Sequence, residues 1–354
     1  MLAVHTECGL LTFYVKITFD NLVELETIVV NARLWRLAAT LKVNIRCLSP
    51  RDWTVFENQP PRGLKFNVTD FCNANCSFCA YRYTKPEGVM SLDIYEDALR
   101  QYVNMGGTTI GFNPLVGEPL LDPFIFKRLK IASTYSTLEK IYFFTNGIFL
   151  AKDDNARKLI DSGVDEIHVS IAAFEKEKFV QIEGTNKYED TISGISQLLK
   201  TNNEQGKPVD IHIELRGSNK GTLKTPDFAK FVLPFVDDSF IRNNIHFLKL
   251  FTRWGGLITA NDVPAGKSLL PTFPMKLRPC ARMFNAVILP DGDVRICDCQ
   301  IGKKGKHDEL VIGSIKKNSL NDIWNGPYVR EIRRTLCSSN QPDVCKECGV
   351  YTPV

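Results

Sequence analysis

No apolar run in this 354-residue chain approaches the roughly 20 residues that cross a bilayer. Lys16 and Asp20 interrupt the only apolar stretch near the start, so the charged-then-apolar layout of a secretory signal is missing. The chain also lacks an excess of one charge. Its formal net charge is +4, too little to argue for nucleic acid as a partner. Pairs such as Lys303-Lys304 and Lys316-Lys317 read as solvated surface. No internal repeat or low-complexity segment stands out. These absences point to a cytoplasmic protein that works off the membrane and off nucleic acid. What remains is an ordinary globular balance, 44% hydrophobic and 24% charged, with length for two or three domains.

Cysteine is what the chain has in quantity. There are 11, and in a reducing compartment clustered cysteines read as metal ligands rather than disulfides. Cys72, Cys76 and Cys79 form a C-x3-C-x2-C run with no fourth cysteine close by. Three thiolates hold three irons of a four-iron cluster and leave the fourth iron open for a ligand. A zinc site with a distant fourth ligand is the alternative. The run, including Phe78 just before its last cysteine, resembles the signature of the radical SAM superfamily. That resemblance implies S-adenosyl-L-methionine on the open iron of a [4Fe-4S] cluster. It also implies reductive cleavage to a 5'-deoxyadenosyl radical and hydrogen-atom abstraction from a substrate carbon. An electron donor such as flavodoxin or ferredoxin is implied as a partner.

Residues 1–60 read as an extension of unknown role, with a strand near 11–19 and a mixed segment near 22–41. From 61 a strand-helix rhythm begins. Strands are expected near 64–68, 108–112, 140–145, 166–170, 209–215 and 245–250, with helices near 92–105, 123–135, 151–162, 189–201 and 226–235. Such alternation means an α/β fold with a parallel sheet. Six units resemble the partial (β/α)6, TIM-like barrel of the family, expected over 61–252. The triad then follows the first strand, at the edge where barrel sites form. Several strands are polar on one face, as in Asp210, His212, Glu214 and Arg216 against Ile211, Ile213 and Leu215. A packed barrel would not tolerate that; an open one enclosing a polar substrate would. An exposed antiparallel face is the competing explanation.

Further motifs sit at strand ends. Gly117-Glu118-Pro119 resembles the family's GGEP segment, with Val116 in place of its first glycine. The resemblance also marks Asn146, Ser170, Arg216 and Leu250, with Phe78, as cofactor-binding positions. His168, His212 and Glu214 are candidate bases facing the lumen.

After 252 the rhythm stops. A β-hairpin is expected at 286–297 around Asp291-Gly292, then a helix over 319–336. Cys280, Cys297, Cys345 and Cys348 resemble the opening of the SPASM and twitch cluster domains, placed at 253–354. The further cysteines of a full SPASM domain do not follow Cys348, so one auxiliary [4Fe-4S] cluster is expected. A zinc ribbon has equally good spacing. Cys299 is a further ligand, a hydrogen donor to a substrate radical, or neither. Cys337 ranks below it, and Cys8 and Cys47 read as small buried residues.

The resemblance leaves two enzyme classes. One is epimerisation or dehydrogenation of a small polyhydroxylated compound, sugar- or aminocyclitol-like. The other is maturation of a ribosomally made peptide, ranked second because residues 1–60 show no clear helix pair for peptide recognition. A non-catalytic electron carrier would not need an open iron.

Overall fold

The computed structural model describes residues 59–353 except 87, 274, 275, 277, 278 and 302–307. The expected strand and mixed segment of the extension, with Cys8 and Cys47, lie outside the described residues. Six strands carry the alternation into a parallel sheet: β1 (Gly63–Phe66), β2 (Thr109–Phe112), β3 (Lys140–Thr145), β4 (Glu166–Ile171), β5 (Asp210–Leu215) and β6 (Ile245–Phe247). They lie side by side in chain order, every neighbour parallel. This is the partial (β/α)6 barrel, and the competing antiparallel explanation falls away.

One face of each strand is apolar. Leu64, Phe66, Ile110, Phe112, Phe143, Ile167, Val169, Ile211 and Ile213 are buried in one core. The helices α1 (Leu92–Asn104), α2 (Ile125–Ala132), α3 (Asn155–Ile160) and α5 (Tyr188–Glu204) cover that face with residues such as Tyr95, Leu99, Leu129, Leu159 and Leu198. Burying each large side chain contributes about 1.5–3 kcal/mol. The other face carries the polar residues and forms the lumen.

Caps fix the helix starts. Ser91 Oγ accepts from Ile94 N–H at 3.2 Å. Thr225 caps α6 (Pro226–Phe231), whose proline needs no N–H partner in the first turn. Two helices of the barrel were not expected, α4 (Lys176–Glu183) and α7 (Asp238–Asn244). Among the described residues no helix is long and apolar enough to cross a membrane.

Three corrections concern the later chain. The sixth strand stops at Phe247, and Leu250–Phe251 forms β7, paired with β8 (Ser268–Leu269). The hairpin strands β9 (Asn285–Ile288) and β10 (Asp293–Ile296) form about Gly292, which takes a φ of +92°. With β11 (Val311–Ser314) they extend the barrel's own sheet, because β9 lies parallel to β1 on the edge away from β2. The expected helix over 319–336 is two, α8 (Leu320–Trp324) and α9 (Pro327–Thr335), broken at Asn325 and Gly326 ahead of Pro327. A short α10 (Asp343–Lys346) follows.

Candidate active site

The triad follows β1 in a loop held from several sides. Asn75 N–H donates to Glu183 O at 2.9 Å and Ser77 N–H to Ile182 O at 2.8 Å, tying the loop to α4. Glu118 N–H donates to Phe71 O at 2.8 Å. The three cysteines are partly buried. Burial pushes the Cys72 thiol up to about 12, helped by the Glu118 charge, and raises Cys76 and Cys79 as well. Thiolates here need a compensating cation. Asn146 Nδ2 lies 3.8 Å from Cys72 Sγ and 2.7 Å from Asn73 Oδ1. Phe78 packs on Phe251 with centroids 5.1 Å apart, while Leu250 is 47% exposed. Phe251 thus meets the cluster loop through Phe78.

Gly117 has a φ of +100°, and a Cβ there would come within 2.2 Å of Thr69 O. No other residue fits. Glu118 is buried and its two oxygens accept from Leu120 N–H (3.2 Å), Thr145 Oγ1 (2.7 Å) and Asn146 N–H (2.7 Å). It therefore clamps the loop before Pro119 to the end of β3 rather than reaching outward. Burial pushes its carboxyl up to about 7 against those hydrogen bonds. Glu183, which sequence reasoning missed, is equally buried. It accepts from Ala172 N–H at 2.6 Å and lies 3.7 Å from Cys76 Sγ.

The lumen brings the expected polar residues together. Arg216 Nε donates to Ser170 Oγ at 2.9 Å, and its Nη2 pairs with Glu214. His168 bridges two carboxylates, with Nδ1 3.2 Å from Glu214 and Nε2 2.5 Å from Glu166. Lys140 holds the other Glu166 oxygen at 2.5 Å. Burial opposes charge on Glu214, yet His168 and Arg216 hold its carboxyl down at about 2. Burial would lower His168 too, but the two carboxylates win and raise it. His168 is thus the cation of an ion pair. His212 differs: Nε2 meets Asp210 at 3.1 Å and Nδ1 meets His246 Nε2 at 3.0 Å. Burial lowers His246. The rings of Phe144, His168, His212 and His246 stack in sequence, 4.7, 4.9 and 5.2 Å apart. His246 was missed because a strand of three residues, Ile245–Phe247, is too short to carry a periodic signal.

Cys280, Cys297, Cys345 and Cys348 are buried and line one cavity together with Cys299. Cys297 takes a φ of +77°, and Arg295 donates to its carbonyl. Cys299 Sγ lies 3.2 Å from Asp298 Oδ1. Its hydrogen bond to Cys297 lowers the Cys297 thiol and, with burial, raises its own. Cys337 is exposed. Among the described residues, Cys297-Asp298-Cys299 and Glu166-Asp210-His212 bring their donor atoms within 4.8 Å of one another.

Comparison with known proteins agrees. Residues 66–223 match the model of the radical SAM superfamily, and residues 280–349 match that of an iron-sulfur cluster-binding domain, SPASM. The GTP 3',8-cyclase of Pasteurella multocida is 27% identical over 191 residues, 53% of this chain and 52% of that protein. That of Chlorobaculum tepidum is 29% identical over 140 residues, 39% of this chain and 41% of that protein. The chain thus spans about half the length of the curated relatives it matches. Among solved structures, BtrN in complex with AdoMet and 2-DOIA superposes with a TM-score of 0.51 at 17% identity, covering 81% of this chain and 92% of that one. Streptococcus suis SuiB bound to the precursor peptide SuiA gives a TM-score of 0.54 at 14% identity, covering 96% of this chain and 80% of that one. These likenesses speak to the fold. The chain carries a radical SAM domain over residues 66–223 and a SPASM-type iron-sulfur cluster-binding domain over residues 280–349, with S-adenosyl-L-methionine and [4Fe-4S] clusters as its cofactors.

Proposed function

We propose that this enzyme dehydrogenates a hydroxyl-bearing carbon of a small polyhydroxylated substrate held in the lumen. Cys72, Cys76 and Cys79 would hold the open cluster. Cys280, Cys297, Cys345 and Cys348 would hold one auxiliary cluster. Gly117, Asn146, Ser170 and Arg216 line the strand ends where S-adenosyl-L-methionine would lie. When bound, these cofactors supply hydrogen-atom abstraction and an acceptor for the electron left behind. A flavodoxin- or ferredoxin-like donor would deliver the priming electron.

The chain's own part is the hydroxyl proton, and the carrying observation is the Asp210–His212–His246 run. With Asp210 ionised, His212 Nε2–H donates to it and His212 Nδ1 accepts from His246 Nε2–H. That leaves His246 Nδ1 free to take the substrate proton. Protonation there lets Nε2–H pass to His212 and on towards Asp210, whose side chain is 57% exposed. His168, held as a cation, suits orientation rather than proton removal. Cys299, engaged with Cys297 and Asp298, is poorly placed as a hydrogen donor, which disfavours epimerisation.

The test is product mass. Reconstituted enzyme with dithionite, S-adenosyl-L-methionine and a panel of polyols should give 5'-deoxyadenosine and a product two hydrogens lighter. An unchanged mass with solvent deuterium incorporated would overturn dehydrogenation in favour of epimerisation. His246→Gln should slow turnover by about 10²-fold.

A second reading, radical cyclisation of a nucleotide, is favoured by the 27–29% identity to proteins named GTP 3',8-cyclase. Incubation with GTP under the same conditions tests it; unchanged GTP with no 5'-deoxyadenosine counts against it. Peptide maturation has only the shared fold of SuiB behind it.

A further inference from the structure

Among the described residues, several charged side chains around the lumen are paired. Lys140 pairs with Glu166, Arg216 with Glu214, His212 with Asp210, and Arg282 lies 4.0 Å from Asp298. Both Glu166 oxygens are spent, on Lys140 and His168. Asp298 meets Asn285, Arg282 and Cys299. Among the described residues the Lys65 side chain has no hydrogen bond or ion pair. Its ammonium lies over the Tyr142 ring, 4.7 Å from the centroid.

The neighbourhood is shaped for that side chain. Lys65 stands in register with Gly111, and Gly111 with Tyr142, so the lysine crosses β2 where there is no side chain. A Cβ at Gly111 would sit 2.9 Å from Lys65 Cδ and 3.1 Å from Nζ. Burial lowers Lys65, and Asp298 and Glu166 only partly restore it. A desolvated ammonium with three donors and an aromatic wall is costly to keep without an acceptor.

We propose that Lys65 anchors an oxyanion, a phosphate or carboxylate, carried by the substrate. This rests on the lumen being the substrate chamber. The substrate would then lie with its anionic end over β1 and Tyr142, and its reacting carbon towards the strand ends and the triad. A sugar phosphate or nucleotide fits this better than a free aminocyclitol.

The experiment is titration calorimetry on the reconstituted holoenzyme with S-adenosyl-L-methionine bound. Inorganic phosphate and acetate are the probes. One of them should bind the wild type and bind Lys65→Met about tenfold or more weakly, the tighter probe naming the class. Lys65→Arg should bind near wild-type strength. Gly111→Ala, which keeps the charge but displaces it, should weaken binding as well. Iron content checks that each variant is folded. Affinity indifferent to Lys65, or no binding of either probe to wild type, overturns the inference. If the wild type yields no 5'-deoxyadenosine with dithionite, the underlying functional reading fails instead.

Discussion

At the scale of single residues, roles separate by what each side chain touches. Cys76 sits inside the triad loop, so Cys76→Ala should abolish 5'-deoxyadenosine formation and leave about four irons per chain where wild type holds about eight. Glu118 serves three donors, and an amide cannot accept from all of them. Glu118→Gln should cost about 1–3 kcal/mol in denaturation and weaken S-adenosyl-L-methionine binding in calorimetry. His168 gives a pH signature. Its pKa is raised in the fold by Glu214 and Glu166, so the stability it contributes is full below the ordinary imidazole value, about 6.5, and fades as pH rises through the raised value. Thermal melts of His168→Gln should therefore fall furthest behind wild type near pH 6 and converge towards pH 9. The triad and the strand-end motifs were legible in sequence because local spacing carries them. Glu183 and Lys65 were not: their partners, Cys76 and Tyr142, are 107 and 77 positions away.

At the scale of elements, period-two alternation located the barrel strands, and β3 matches its expected span, 140–145. The run 245–250 misled because Leu248, Lys249 and Leu250 continue its apolar-polar pattern while the chain leaves the sheet after Phe247. Helix α4 was missed because only Phe179, Val180 and Ile182 interrupt its polar sequence, too few for a periodic stripe. The break before α9 was announced by Gly326-Pro327. Helix α2 shows how an element is fixed in place. Arg128, fully buried, donates to Asp122 at 2.6 Å and to the carbonyls of Ser91 and Met90 at the start of α1. Arg128→Leu leaves a buried carboxylate uncompensated and should cost about 3–5 kcal/mol in denaturant unfolding of the holoenzyme.

At the scale of the molecule, the triad loop follows β1 and Cys297 follows β10 of one continuous sheet. Cys345→Ala should remove about four irons while the triad's share remains, readable as iron content and a simplified EPR spectrum of the reduced protein. The pairing of β1 with β9 has a consequence for how the chain is made. Residues 63–66 wait for residues 285–288, more than 200 positions later, before that edge finds its partner. Until then the nascent barrel presents an unpaired strand edge to its surroundings. Synthesis that stalls before residue 285 should therefore yield aggregation-prone fragments.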